Sequence, residues 1–297
     1  MNVNLLTHKI ASLAIEAMLY EVSATPKPGL VDRNNCGAHK DMDFFTFMKS
    51  AAALHSAFDD MTLAGVHARH SNITSMWQEL RQAGVKAEKL MFSSTHNVNT
   101  HKGEIFSLGL FCGCAGWQLG KSKRLNADTL TELTAEMCQG LCEKDFLKIK
   151  GKHEEELTKG ERMYIKYGCT GIRGEAESGY STVKNISLPV LRKLMTRNIP
   201  VNDALVQTLL YLIAETTDTN ILSRHDMKTA EYARDYASKV IDKGGIFTEE
   251  GQNSLYAMDK DFIERYISPG GCSDLLAVTY FLFNLENEEN FLTVKGE

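Results

Sequence analysis

The sequence predicts an all-α fold, a single compact multi-helix bundle with polar loops converging on one cleft. Three observations predict the helices. Apolar residues recur at helical spacing almost throughout, strand-like alternation between turn signals is hard to find, and proline occurs only five times in 297 residues. So little proline suits long uninterrupted helices, because each interior proline removes a backbone hydrogen bond.

The elements follow in chain order. Leu6, Ile10, Leu13, Ala14 and Ala17 make one face of a first helix that stops before Pro26. Phe44, Phe47, Met48, Ala51, Leu54 and Phe58 make a second, with Asp43 as its N-cap. The uncharged run 105–120 carries Gly109, Gly113, Gly116 and Gly120, small residues that let neighbouring backbones approach closely. Ala204, Leu205, Leu209, Leu212 and Ile213 follow a candidate N-cap at Asn202. Ala230, Ala233, Tyr236, Ala237, Val240 and Ile241 end at Gly244-Gly245, a natural C-terminal stop. The segment 275–285 is nearly all apolar and reads as buried.

No fixed-period repeat, low-complexity tract or clear linker is visible, so residues 1–297 read as one domain. The polar stretch 148–160 reads as a solvated helix entrance, or as a mobile loop or hinge. Thirty-three basic against 38 acidic residues give a net charge of −5, which argues against bulk binding of nucleic acid. The run 105–120 is shorter than the ~20 apolar residues a membrane span needs. With no signal-peptide pattern and an odd count of seven cysteines, the expected location is the cytoplasm, with reduced thiols.

Five polar loops carry the unusual residues. In the first, 23–43, Pro26 and Pro28 stiffen the chain around Lys27, and Arg33, His39 and Lys40 interleave with Asp32, Asp41 and Asp43. Mixed cations and carboxylates suit a polyphosphate with Mg²⁺, the cations meeting phosphate oxygens while Asp41 and Asp43 hold the metal. The same composition also describes a capped loop with surface ion pairs. The second loop, 97–104, sets His101 and Lys102 where helix amides favour an anion, although Thr100 could be a simple N-cap. The third, 168–180, surrounds Arg173, Glu175 and Glu177 with four glycines. The fourth, 218–226, holds Asp218, Arg224, His225 and Asp226, and the fifth, 268–274, opens the last helix with Gly270, Gly271 and Asp274. Each is weak alone. Together they suggest one polar site, and a radius of gyration near ~19 Å lets them converge.

Three further patterns carry less. AGWQLGKS at 115–122 approximates a phosphate-binding loop but lies at the end of a helical run rather than after a strand. The His225-Asp226 pair resembles the metal pair of helical phosphohydrolases, yet two adjacent residues also read as a solvated pair. Cys138 and Cys142 share a helix face without a second pair to complete a zinc set.

The five loops, in this order and spacing, resemble the triphosphoribosyl-dephospho-CoA synthases that serve citrate lyase and malonate decarboxylase. The resemblance rests on SATPKPGLVDRNNCGAHKDMD (23–43), VNTHKGEIFSLGL (98–110), GIRGEAESGY (171–180), DTNILSR (218–224) and SPGGCSDLLA (268–277). Asn97 stands where the family usually has glycine, His225-Asp226 replaces a glycine pair, and Cys272-Ser273 replaces Ser-Ala.

The resemblance implies transfer of the triphosphoribosyl group of ATP to the ribose 2′-hydroxyl of 3′-dephospho-CoA, with release of adenine. The product would be the precursor of an acyl carrier protein's prosthetic group. It further implies phosphate binding by Lys27, Arg33, Lys40, Lys102, Arg173 and Arg224, with His39, Gly270, Gly271 and Asp274 completing the substrate contacts. Glu175, with Asp218 second, is the expected base, and His101 would hydrogen-bond or protonate adenine. Inversion at C1′ calls for a carboxylate on the face opposite adenine, by analogy with inverting glycosidases. The competing readings are a helical metal-dependent nucleotide phosphohydrolase and a non-catalytic ATP- or carrier-binding module.

Overall fold

Capping residues and apolar stripes together dictate where the helices begin and what they bury. The structure is a computed structural model describing residues 3–147, 149 and 153–288. Among them α1 (Val3–Ser23), α2 (Phe44–Ala52), α3 (His55–His67), α4 (Trp77–Ser94) and α5 (Lys102–Gly120) form the N-terminal half. There follow α6 (Ala127–Cys138), α7 (Leu141–Leu147), α8 (Lys159–Tyr167), α9 (Gly171–Glu177) and α10 (Leu188–Thr196). The last five are α11 (Val201–Glu215), α12 (Thr219–Arg224), α13 (Met227–Asp242), α14 (Glu249–Glu264) and α15 (Gly270–Asn287). No strand occurs among the described residues, so the all-α expectation holds.

Asp43 caps α2 in a reciprocal box with Thr46, and Gly244, at φ 96°, ends the turn after α13. Asn126, Thr158, Asp226 and Thr248 each accept a backbone N–H at the start of α6, α8, α13 and α14. Two expectations change. The helix expected to run through Phe58 breaks at Ala53-Leu54, where both N–H groups reach back three residues and the axis turns as Leu54 is buried. Asn202 does not cap α11. It lies inside that helix and pairs with the Thr25 backbone, donating to its carbonyl at 2.9 Å and accepting its N–H at 3.0 Å.

The glycines of α5 set the tightest packing. A Cβ on Gly116 would lie 2.0 Å from the Thr62 carbonyl oxygen of α3, and one on Gly65 would lie 2.0 Å from that of Gly113. The two helices therefore touch backbone to backbone. Around them the buried apolar side chains join one connected cluster, with Phe111 against Tyr180 at a ring separation of 4.9 Å. The apolar face of α15 closes the core against α1, α5 and α11. No helix among the described residues is long and apolar enough to cross a membrane.

The segment resembling a phosphate-binding loop ends α5, at the C-terminal pole of its dipole, which repels anions. Of the stretch 148–160, residues 148 and 150–152 lie outside the described residues; Glu154–Glu156 form a 3₁₀ turn and α8 begins at Lys159.

Gly116→Val should cost about 3 kcal/mol or more, because its side chain meets a backbone oxygen that cannot yield. Gly84→Ala, on α4 where an added Cβ meets nothing within 4 Å, should instead gain about 0.5–1 kcal/mol. Urea unfolding of the two variants checks both signs.

Candidate active site

Four helix beginnings meet at one cavity of about 1440 Å³. Lys102-Gly103 of α5, Gly171 of α9, Asp218-Thr219 at the start of α12 and Gly271 of α15 all line it. Helix starts leave N–H groups without intrahelical partners, so this side of the cavity carries positive potential. The starts also touch in sequence. The Asp274 carboxylate fills the space a Gly103 side chain would take, Gly271 lies against Asp218, and Gly171 lies against Thr219. These contacts form a continuous floor from α5 to α9.

Asp218 holds that floor together. One oxygen accepts the N–H groups of Asn220 (2.7 Å) and Ile221 (3.2 Å), and the other accepts that of Cys272 (2.9 Å), locking α12 to α15. Burial raises its pKa in spite of those donors. With its lone pairs so engaged, Asp218 positions the site.

Beneath Asp274 lies a buried charge cluster. The Lys27 ammonium, 1% exposed, donates to Glu21, which also accepts the Ser273 hydroxyl. Glu104 is buried as well, its Oε2 without a hydrogen-bond partner. One cation thus faces three carboxyls. Burial, then Glu21 and Asp274, raises the Glu104 pKa well above its ordinary value, against the pull of Lys27. Burial, then Asp218 and Glu21, raises Asp274 likewise, although the Glu104 N–H donates to it. Burial and the neighbouring carboxyls thus favour the neutral form of both groups.

The walls carry the remaining chemistry. Glu175, half-buried, accepts the Thr182 hydroxyl at 2.6 Å and its N–H at 3.3 Å. Burial outweighs those donors and raises its pKa. Arg173, two residues earlier, pairs with Asp145 at 2.9 Å, and Lys102 on the opposite wall pairs with Glu88 at 2.9 Å. Both pairs are partly exposed and so are worth only about 0–1 kcal/mol, weak enough to exchange for a phosphate.

The structure brings Lys102, Arg173, Glu175, Asp218, Gly271 and Asp274 to this cavity, with Gly270 directly beside it against Asn220. The first loop does not line it. Lys27 is buried below the floor, where it balances Glu21 instead of meeting solvent. Arg33 bonds Thr25 and Asn202, pinning its own loop to α11. His39 bonds Ser268 at 2.9 Å, and burial, then Arg224, lowers its pKa to about 4. Lys40 lies over the Tyr266 ring at 5.0 Å, and Arg224 faces His39 away from the cavity. His101 is fully buried, with Nδ1 2.7 Å from the Ser50 hydroxyl. Burial, then Lys27, lowers its pKa to about 3, so it is a neutral ring in the core that does not line the cavity. Asp43 is spent on its capping box, and Asp41 is exposed, 3.9 Å from His39. Neither fits a metal ligand, and no group of three or more His, Cys, Asp or Glu among the described residues is placed to hold one.

His225 and Asp226 are likewise committed elsewhere, the ring to the Tyr266 carbonyl at 3.0 Å and the carboxylate to the start of α13. Glu177, drawn to the backbone N–H groups of Gly140 and Cys142, ties α9 to α7. Two residues escape a reading by loops. Glu21 sits on the apolar stripe of α1 after Ala14 and Ala17, and a charge on a core face is the signal that a buried partner exists. Glu104 follows Gly103 directly, but nothing local distinguishes it from an ordinary first-turn acid.

A family model described as "CitG: ATP:dephospho-CoA triphosphoribosyl transferase" matches residues 7–292. A Vibrio cholerae relative named "Probable 2-(5''-triphosphoribosyl)-3'-dephosphocoenzyme-A synthase" is 41% identical over 276 residues, covering 93% of this chain and 88% of its own. An Escherichia fergusonii 2-(5''-triphosphoribosyl)-3'-dephosphocoenzyme-A synthase is 38% identical over 282 residues, 95% of this chain and 92% of its own. The Pectobacterium atrosepticum protein of that name is 38% identical over 272 residues, covering 92% and 87%.

Two outcomes follow from the buried cluster. Lys27→Met strands Glu21 as an unpaired buried charge and should cost about 3–5 kcal/mol in urea unfolding. Adding Glu21→Gln to that variant should recover most of the loss. Because Asp274 and Glu104 have raised pKa values, the folded chain binds more protons than the unfolded chain, and stability falls as pH rises through that window. Asp274→Asn removes one such group, so its urea midpoint should gain on the parent's as pH rises from about 4 to 7.

Proposed function

The chain belongs to the ATP:dephospho-CoA triphosphoribosyl transferase family, and from that premise we propose that the cavity floored by Asp274 is its active site. The reaction moves the triphosphoribosyl group of ATP onto 3′-dephospho-CoA. The 2′-hydroxyl oxygen of the acceptor bonds to C1′ of ATP, the C1′–N9 bond breaks, and its electron pair leaves with adenine. The hydroxyl proton balances the adenine anion, so the products are 2′-(5″-triphosphoribosyl)-3′-dephospho-CoA and neutral adenine.

The observation that carries the assignment is the meeting of Arg173, Lys102, Glu175 and Asp274 at one cavity. Arg173 and Lys102 supply cations for phosphate, and fixing the triphosphate fixes C1′. Glu175 takes the proton from the acceptor hydroxyl. Its raised pKa makes it a stronger base once ionised, and Thr182 holds it in one orientation. Asp274, whose pKa is raised by burial and then by Asp218 and Glu21, is the group assigned to hand a proton to the departing adenine, the two carboxyls thus dividing acid from base. Inversion at C1′, from β-linked ATP to an α-linked product, suits attack from the face opposite adenine.

Mg²⁺ enters as the counter-ion of the ATP triphosphate, with phosphate oxygens and water as its ligands. Asp41 and Asp43 do not fit as its holders, and no step is assigned to it. Downstream, the product serves as prosthetic-group precursor for an acyl carrier protein. Seven free thiols and the nature of both substrates favour the cytoplasm as the place of reaction.

Incubation with ATP, Mg²⁺ and 3′-dephospho-CoA should release adenine, read by chromatography. Phosphate in its place would identify a hydrolase, and neither product would identify a binding module. Glu175→Gln should lower kcat about 10²–10⁴-fold and leave ATP binding, measured by calorimetry, little changed. In the parent, kcat should rise with pH as Glu175 ionises, and that acid limb should vanish in the variant; an unchanged limb would remove Glu175 as base.

A further inference from the structure

Resting on the transferase reading, we infer that the acceptor lies along α4 and α5, its pantetheine arm in an apolar extension of the cavity, and that ATP lies toward α7 and α9. Two phosphate-bearing substrates need two cationic stations with the reacting sugar between them. The cavity has two. Arg173 and Lys144 stand on the α7–α9 wall, and Lys102 and Arg81 stand on the α4–α5 wall. The Asp274–Asp218–Thr219–Gly171 floor runs from one to the other.

Apolar side chains line both stations, but Met137, Cys138 and Leu141 beside Arg173 and Lys144 are buried in the core, whereas the α4–α5 side leaves apolar surface exposed. Trp77, Arg81, Gly84, Val85 and Glu88 fall at i, i+4, i+7, i+8 and i+11, one stripe of α4 turned to the cavity. Phe106, Gly109 and Leu110 of α5 line the same space, the Phe106 ring edge-on to Trp77 at 6.4 Å between centroids. Val85 remains 49% exposed there, and an added Cβ on Gly84 would meet nothing within 4 Å. The extension is therefore an open trough with an apolar lining and polar groups of Thr74 and Gln78 beside it.

The two substrates differ in the part that could fill such a trough. ATP ends in a triphosphate at one side and adenine at the other, and its adenine must lie at the reacting C1′. Dephospho-CoA alone carries a long uncharged chain, largely methylene with two amides, beyond its diphosphate. Charge and apolarity match in order: diphosphate at Lys102 and Arg81, pantetheine along Trp77, Gly84 and Val85. The opposite station, at Arg173 and Lys144, adjoins Asp145, Glu161 and the glycines of 168–174 as well as Ile172, and its polar groups suit the triphosphate.

Gly84→Leu and Val85→Glu test this, the first filling the trough and the second charging it. Each should raise KM for 3′-dephospho-CoA at least tenfold with KM for ATP changed less than twofold, and Arg173→Ala should show the reverse split. A readout without turnover uses Trp117→Phe, which leaves Trp77 as the one tryptophan of the chain. Its fluorescence should respond to 4′-phosphopantetheine, and that response should weaken at least tenfold in Gly84→Leu. A rise in KM for ATP in the α4 variants, an equal rise for both substrates, or no change for either would overturn the placement. Absence of adenine release by the parent would instead overturn the transferase reading, since it does not depend on α4.

Discussion

One buried ammonium among several carboxyls is the constraint on which the site depends. Lys27 neutralises Glu21, and Ser273 adds a second hydrogen bond to the same carboxylate, joining α1, the first loop and α15 at one point. A lone buried carboxylate would be expelled or protonated. Glu104 and Asp274 lie buried close to Glu21, and burial together with the neighbouring carboxyls raises the pKa of both. The cluster thus fastens distant segments together immediately under the cavity.

Backbone contact provides the second constraint. The floor has no room for extra side chains because Gly103, Gly171 and Gly271 each press against a functional or capping group. Helix beginnings can then meet around one cavity, several of their N–H groups bound by Asp218 and Asp274. Asp218 turns this crowding into rigidity, since its two oxygens bind α12 and α15 at once. Glu177 does the same for α7 and α9 on the far wall. Glu175, between them, inherits a fixed position from neighbours that take no part in proton transfer.

Division of labour among the loops follows from those contacts. The first loop carries more charges than any of the other four, yet most of them are engaged within it or against neighbouring segments. Asp32 accepts the N–H groups of Lys27, Asn34 and Asn35, Asp259 accepts that of Gly29, and His39 closes on Ser268. A loop so folded upon itself is a strut under the active site. The other four loops present fewer charges, and among these Lys102 and Arg173 hold partly exposed ion pairs that can exchange for a phosphate.

By itself the sequence determined the helices, because apolar periodicity and capping residues are local, and the glycine stripe of α5 announced close packing before any partner was known. It also marked Lys102 and Asp274 as polar residues at helix starts, and Arg173 and Glu175 as polar residues of a glycine-rich loop. Their convergence, and the exclusion of Arg33, Lys40 and Arg224, were decided only by the tertiary structure. Composition records that a charge exists but not whether the residues that folding brings around it will bury and cancel it. Lys27 is the clearest instance: between two prolines it reads as an exposed clamp, and only the arrival of Glu21 and Ser273 from other helices makes it part of the core. The trough along α4 was equally illegible, since an amphipathic stripe looks the same whether it faces a neighbour or an open space.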